Sequence, residues 1–393
     1  MKALLDRLRA RQGEMVELLR RLAVAESPSH VPAAQEPVFA LLEETLAPAG
    51  YRVRRLPGKA SGGQLYASPA RRPRARRAQL LLGHCDTVWP LGSLATMPVA
   101  LADGRLTGPG VYDMKAGLVQ GVFALRALAE QGLEPPLAPV LFVSSDEEVG
   151  SEESTARIER LARRVARVFV LEPSLEPGGR LKTERKGNAR FTVTAHGKAA
   201  HAGLEPEKGA SAVLELAHQV IRLHALGDPA KGTTVTVGIF EGGIRRNVVP
   251  PEAKAVVDVR MLRFDDFAAL ERAIRGLVPA IPGTRLEVEG GIDRPPLERT
   301  PGNRALWEQA RAVAARLGLD LQEGTAGGAS DGNTTSVFAP TLDGLGPVGD
   351  GAHAAHEFVW VDRMPERAAL LAGLLMEPEA PAGTERAFLL QER

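Results

Sequence analysis

The chain has 393 residues, enough for two or three domains and at least one large core. Hydrophobic residues make up 44% and charged residues 25%, the balance of an ordinary globular protein, and 49 basic against 48 acidic residues leave a net charge of +1. Near-neutrality excludes a whole-protein attraction to nucleic acid or to an anionic membrane. The single cysteine, Cys85, excludes an intrachain disulfide and a cysteine-rich zinc module and fits a reducing cytoplasm, the expected compartment.

The opening stretch, MKALLDRLRARQGEMVELLRRLAVAE, spaces its apolar residues as a helix does and has no continuous apolar core. It reads as an amphipathic helix over 2–24, not a secretion signal. A second helix is expected over 33–48, then apolar strands at 51–56, 64–68 and 79–83. A helix follows at 115–131, a buried strand at 138–145, a helix at 154–164 and another buried strand at 168–172. Helices alternating with short all-apolar strands imply an α/β layer with a mostly parallel sheet and helices on both faces. From 190 to 290 the order changes to strand (190–196), helix (209–226), strands (233–241 and 252–261), helix (265–277) and strand (285–290). That β-α-β-β-α-β order is ferredoxin-like. Helices at 302–317 and 363–376, with a Gly-rich loop at 324–332, resume the first domain. The expected division is therefore 1–187 with 297–393, and 188–296 inserted; the tail 377–393 is expected to be peripheral.

Ionisable residues gather where the apolar strands end, which in an open α/β sheet is where ligands bind. LLLGHCDTV gives His84 and Asp86, and GPGVYDMKAG gives Asp113. LFVSSDEEVG gives Asp146, Glu147 and Glu148, and VFVLEPS gives Glu172. GPVGDGAHAAHEFV adds His353, His356 and Glu357. Crowded carboxylates repel and raise one another's pKa; divalent metal removes that conflict, and nitrogen-plus-oxygen ligation suits zinc, with cobalt or manganese as substitutes. His84 and Asp86, two apart on an extended segment, share a face, so the acid can hold the imidazole by its second nitrogen. Of the adjacent Glu147 and Glu148, one can ligate while the other stands beside the metal as proton acceptor.

The ordered set His84-Cys-Asp86-Thr87-Val88, Gly108-Pro-Gly-Val-Tyr-Asp113-Met-Lys-Ala-Gly117, Asp146-Glu147-Glu148-Val-Gly150, Glu172-Pro-Ser and His353-x-x-x-Glu357 resembles the co-catalytic zinc family of aminoacylase, acetylornithine deacetylase, succinyl-diaminopimelate desuccinylase and bacterial glutamate carboxypeptidase. The likeness spans nearly the whole chain, and the inserted segment resembles that family's lid and dimerisation domain. It implies two zinc ions bridged by Asp113, one completed by His84 and Glu172 and the other by Glu148 and His353. It implies Glu147 as general base and Asp86 as the residue orienting His84. His201, in GKAAHAG, matches a lid histidine that reaches an active site, often the partner subunit's. Asn247 in GGIRRNVVP and Arg260 in VVDVR match substrate-holding positions, and Gly328 lies in a glycine loop read as a pocket wall. Glu172 and the phrase Lys182-Thr-Glu-Arg-Lys-Gly187 lean toward the glutamate carboxypeptidase branch. That branch implies an arginine just before the glycine loop, whereas Gln322-Glu-Gly-Thr-Ala326 has none, so a glutamate preference would need another cation, for which Arg245, Arg246 and Lys208 are the candidates.

The expected activity is hydrolysis of an amide bond adjacent to a free carboxylate, by a carboxypeptidase releasing a C-terminal amino acid. The alternative is an N-acyl-amino-acid deacylase, and a non-catalytic binding relative is the third reading. The expected substrate is a small peptide or N-acyl amino acid, and the expected assembly a homodimer through the lid. Other candidates read as structural: Cys85 as core, His196, His218 and His224 as ordinary strand and helix residues, and RRPRARR (71–77) as a solvated loop.

Overall fold

The structure is a computed structural model, and it describes residues 1–71, 76–175 and 178–379. Residues 72–75 of the basic run and the tail from 380 lie outside the described residues.

The first stretch contains helices α1 (Lys2–Ala10), α2 (Gln12–Val24) and α3 (Pro32–Leu46), then strands β1 (Tyr51–Leu56), β2 (Gln64–Pro69), β3 (Ala78–His84), β4 (Ala100–Ala102) and β5 (Arg105–Thr107). It continues through α4 (Ala116–Glu130), β6 (Ala138–Ser144), α5 (Thr155–Ala162), β7 (Val165–Val170) and β8 (Leu181–Arg185). Next come β9 (Gly187–His196), α6 (Ala212–His224), β10 (Thr234–Gly242), β11 (Glu252–Met261), α7 (Phe264–Arg275) and β12 (Arg285–Arg294). The return holds α8 (Pro301–Leu317), β13 (Glu323–Ala326), α9 (Asp331–Ser336), β14 (Thr341–Leu342), β15 (Gly349–Asp350), β16 (Phe358–Trp360) and α10 (Met364–Met376).

The chain divides into two compact units. One holds Met1–Thr183, Arg299–Ala326 and the chain from Ser330; the other holds Glu184–Glu298 with Gly327–Ala329. In the first unit a six-stranded sheet runs β1-β2-β6-β3-β7-β14. β3 pairs in parallel with β6 and β7, and β14 with β7, while β1 and β2 add antiparallel edges. Every residue of β3, β6 and β7 is buried, as expected of parallel strands covered on both faces. Helix α4 carries much of the larger core through Leu118, Val119, Val122, Phe123 and Leu125. Gly117 is required where α4 crosses the sheet, because a Cβ there would lie 2.0 Å from the Leu171 carbonyl oxygen. That close approach seats the segment before α4 beside the end of β7.

The second unit is a four-stranded antiparallel sheet, β10-β11-β9-β12, backed by α6 and α7 in the β-α-β-β-α-β order. β9 and β11 alternate buried and exposed positions, so one face packs on the helices through Phe191, Val193, Val257, Val259, Leu216 and Ile274.

Two sequence expectations need correction. The single N-terminal helix is two, because Arg11 leaves helical geometry at φ −105° and ψ 11°, while its guanidinium pairs with Glu14 and Glu130. The stretch 324–332 is not one loop. Residues 323–326 form β13 beside β8, and Ser330 opens α9 with a capping box closed by Asn333. No helix among the described residues is long and apolar enough to cross a membrane.

Candidate metal centre

β3, β6 and β7 run parallel, so their carboxyl ends share one edge. His84 is the last residue of β3, and Glu147 and Glu148 lie in a short 3-10 turn just after β6. Glu172 follows β7 by two residues, and Asp113 lies in the turn that precedes α4, before a cis peptide bond to Met114. His353 sits in the loop between β15 and β16 with φ +60°, a left-handed geometry uncommon outside glycine.

These residues form two triads with one shared member. His84 Nε2 lies 3.3 Å from Asp113 Oδ1 and 3.5 Å from Glu172 Oε1. His353 Nε2 lies 3.1 Å from Glu148 Oε2 and 3.5 Å from Asp113 Oδ2. The two oxygens of Asp113 thus face different triads, and the candidate ligand atoms of each triad lie within 4.8 Å of one another. His84 Nε2, Asp113 Oδ1 and Glu148 Oε1 are buried and make no hydrogen bond of acceptable geometry among the described residues. Converging, buried and unsatisfied donor atoms of this kind fit a cation better than they fit one another.

Electrostatics agree. Burial pushes the Glu148 carboxyl up to about 7, against the pull of His353, and the contact with Glu148 raises His353 to about 9. Burial alone would lower His84, but Asp113, Asp86 and Glu172 hold it well above its ordinary value. Cationic imidazoles are compensating for carboxylate crowding, the role a divalent cation fills when histidines are neutral ligands.

Around the triads, His84 Nδ1 donates to the main-chain carbonyl of Asp86 at 3.0 Å, with Asp86 Oδ1 at 3.4 Å. That orients the ring so that Nε2 faces Asp113 and Glu172. The Asp86 carboxylate has further partners. It accepts from Ser29 Oγ at 2.7 Å and from the backbone N–H groups of Glu147 and Glu148 at 3.3 and 3.1 Å, fixing the turn that carries both glutamates. Sequence reasoning missed Ser29, because its contact with Asp86 spans 57 residues. It also missed the use of Glu357, a buried carboxylate that accepts from Trp89 Nε1 and from the N–H groups of Gly110, Tyr112 and Asp113 at 2.8–3.0 Å. The His-x-x-x-Glu spacing was its signal.

The remaining nominated residues lie in the second unit. His201 Nδ1 accepts from the N–H groups of Gly203 and Leu204, both at 3.1 Å, so its proton sits on Nε2. The Asn247 carbonyl accepts from Ala202 N–H at 3.0 Å, joining the two loops. The Arg260 guanidinium pairs with Asp258 through Nε and Nη2, at 2.8 and 2.9 Å. The Gly328 carbonyl accepts from Arg185 Nη1 at 2.9 Å. Cys85 is buried and unpaired in a disulfide, and burial pushes its thiol up. His356 is exposed and joins neither triad.

Comparison with known proteins adds five findings. Residues 80–377 match the model of peptidase family M20/M25/M40. Carboxypeptidase G2 of Pseudomonas sp. strain RS-16 is 30% identical over 303 residues, 76% of this chain and 73% of that protein. A succinyl-diaminopimelate desuccinylase of Parvibaculum lavamentivorans is 27% identical over 363 residues, 85% of this chain and 89% of that protein. Among solved structures, aminopeptidase PepT of Bacillus cereus superposes with a TM-score of 0.74 at 23% identity, covering 94% of this chain and 98% of its own. The YXEP protein of Bacillus subtilis, described as a dinuclear metal binding peptidase from the M20 family, superposes at 0.68 with 14% identity, covering 93% and 98%.

Proposed function

The chain belongs to peptidase family M20/M25/M40, and from that premise we propose that it is a dinuclear zinc hydrolase cleaving an amide bond adjacent to a free carboxylate, as a carboxypeptidase releasing a C-terminal amino acid. The observation that carries the proposal is the pair of triads sharing Asp113. His84 and Glu172 would hold one ion, Glu148 and His353 the other, and Asp113 both. Cobalt or manganese would substitute for zinc at such nitrogen-and-oxygen sites.

When bound, two divalent cations supply positive charge that polarises the scissile carbonyl and acidifies a water. Glu147 accepts the proton of the attacking water and returns it to the leaving amine. Asp86, bonded to the N–H groups of Glu147 and Glu148, keeps that carboxylate in register. His201, with its proton on Nε2, is a donor suited to a developing oxyanion. Arg260, aimed by Asp258, and Asn247 hold the substrate carboxylate, and Gly328 leaves room in the pocket wall. A deacylase acting on N-acyl amino acids is the second reading; its support is the desuccinylase likeness, which covers more of this chain than the carboxypeptidase likeness does. Support for a homodimer through the second unit comes from exposed Leu214 and Ile221 on α6 and exposed Ile239 and Phe240 on the edge strand β10. A reducing cytoplasm suits a chain whose one cysteine is buried and unpaired.

The test is a hydrolysis screen of dipeptides and N-acyl amino acids with zinc-loaded protein, alongside Glu147→Gln. The variant is expected to keep two metals per chain and to lose about 10²–10⁴-fold in kcat. Zinc lost in step with activity would make Glu147 a ligand and overturn the assignment.

A further inference from the structure

The segments that deliver Asp113 and Glu172 are fastened to each other at two points, with both carboxylates between them. One point is the close approach of Gly117 to the Leu171 carbonyl, which leaves no room for a Cβ. The other is a side-chain bond: the Tyr112 hydroxyl donates to the Ser174 carbonyl at 2.7 Å. Tyr112 immediately precedes Asp113, and Ser174 follows Glu172 by two residues. Of the three tyrosines, Tyr112 is the fully buried one, whereas Tyr51 and Tyr66 are half-buried. A buried hydroxyl costs free energy unless it meets a partner, and here the partner is the backbone of a ligand-bearing arm.

Both ends of this strut are anchored. At one end, Tyr112 N–H donates to Glu357 Oε1 at 2.8 Å. A Cβ on Gly349 would lie 2.9 Å from the Tyr112 Cδ2 atom, so glycine there makes room for the ring. At the other end, Pro173 has no N–H with which to pin the arm after β7. Ser174 pins it instead, through its N–H at 3.0 Å and its hydroxyl at 2.8 Å, both to the Pro347 carbonyl. Gly346 N–H donates to the Glu172 carbonyl at 2.9 Å, and the buried Arg367 holds that segment by the carbonyls of Gly344 and Gly346. The arm of Glu172 thus rests on residues 344–347, and Tyr112 ties it to the turn of Asp113. His84 Nε2 meets one oxygen from each, Asp113 Oδ1 at 3.3 Å and Glu172 Oε1 at 3.5 Å.

We propose that Tyr112 is a positioning residue for one of the two metal sites. Its hydroxyl sets the spacing of Asp113 and Glu172, and so the zinc affinity of the triad they form with His84, without acting on the site completed by Glu148 and His353. The inference rests on the reading that both triads hold metal. Two carboxylates brought to one point repel until a cation arrives. A strut that holds them at ligating distance beforehand removes part of the cost of assembling the site. Selectivity follows from connectivity. Ser174 lies on the arm of Glu172, a ligand of one triad alone, and Asp113 keeps the bond from its N–H to Glu357 at 3.0 Å when the hydroxyl is gone.

The test removes the hydroxyl and keeps the ring, with Tyr112→Phe placed in two backgrounds that each isolate one site. His353→Ala leaves the triad of His84, Asp113 and Glu172, and Glu172→Gln leaves the triad of Asp113, Glu148 and His353. Zinc affinity is measured by chelator competition. In the first background Tyr112→Phe is expected to weaken zinc binding ~10–100-fold, the usual cost of losing a group that orients a ligand. In the second the change is expected to stay within about twofold, as for independent sites. Circular dichroism and the thermal midpoint of metal-free protein check folding; a brace of the fold alone would lower that midpoint and weaken both sites alike or neither. A second measurement uses the unaltered chain. Amide exchange of metal-free protein is expected to show Asp113 and Ser174 already protected, because the strut precedes the metal. Equal loss at both sites, no loss at the first, or an unprotected Ser174 in metal-free unaltered protein would overturn the inference alone. An unaltered chain that binds no zinc would overturn the metal-centre reading and the inference with it.

Discussion

Glu357 links the loop that carries His353 to the turn that carries Asp113. Four residues beyond His353, it is buried, and its carboxylate collects four N–H groups, including that of Asp113 itself. Burial pushes the carboxyl up while those donors oppose it. The position makes Glu357 a positioning residue for Asp113. Glu357→Gln replaces one acceptor oxygen with an NH₂ group facing donors, so at least one of the contacts must break. The expected outcome is a ~10–100-fold loss of zinc affinity, the usual cost of removing a group that orients a ligand. Chelator competition measures it, with the thermal midpoint of metal-free protein as control. Unchanged zinc affinity with a lowered metal-free midpoint would reduce Glu357 to a structural brace.

At the scale of elements, Glu153 shows how a single carboxylate fixes a connection. Placed just before α5, it accepts from the N–H groups of Lys59, Ala60 and Ser61 and from the Ser61 hydroxyl, holding the loop between β1 and β2. The Ser61 hydroxyl and those N–H groups bring its carboxyl down to about 2 from the ordinary 4.5. A carboxyl lowered on folding contributes stability that is full above its unfolded value and is lost as pH falls through the folded one. Comparing amide-exchange protection of residues 59–61 in the unaltered chain and in Glu153→Gln, the difference is expected to be constant above pH ~5 and to close between 4.5 and 2. A difference undiminished at pH 2 would mean the carboxylate charge is not what holds the loop. No sequence pattern announces this contact, which spans more than 90 residues. What was legible were elements with a strong local period or a continuous apolar run. β3, β6 and β7 are buried on both faces and so read as apolar blocks, and their ends delivered His84, Glu147, Glu148 and Glu172 as candidates. β4, β5, β15 and β16 are two or three residues long and show no period at all. His353 lies between two of them, so its role came from the resemblance alone. The Asp86 carbonyl, not only its carboxylate, holds His84, a detail set by the turn after β3.

At the scale of the molecule, the two units have separate cores. The cluster around α4 and α10 belongs to the first, and that around Phe191, Val257 and Leu216 to the second. Both triads lie wholly in the first unit. A ligand that binds only the folded state stabilises what it binds, by about 2.7 kcal/mol at a hundredfold excess over its dissociation constant. Metal therefore acts on one core directly and on the other only so far as unfolding couples them. Calorimetric scans of zinc-loaded and chelator-treated protein are expected to resolve two transitions, of which chelation lowers one by several degrees and leaves the other in place. Asp113→Ala should abolish the response, because the two sites lose their common ligand together. The unit responsible can be identified by amide exchange near the lower midpoint. Loss of protection in β3 and β7 before β9 and β11 assigns the metal-dependent transition to the parallel sheet. A single transition shifted as a whole would show that the units unfold as one. A chelator response surviving in Asp113→Ala would refute a centre built on that carboxylate.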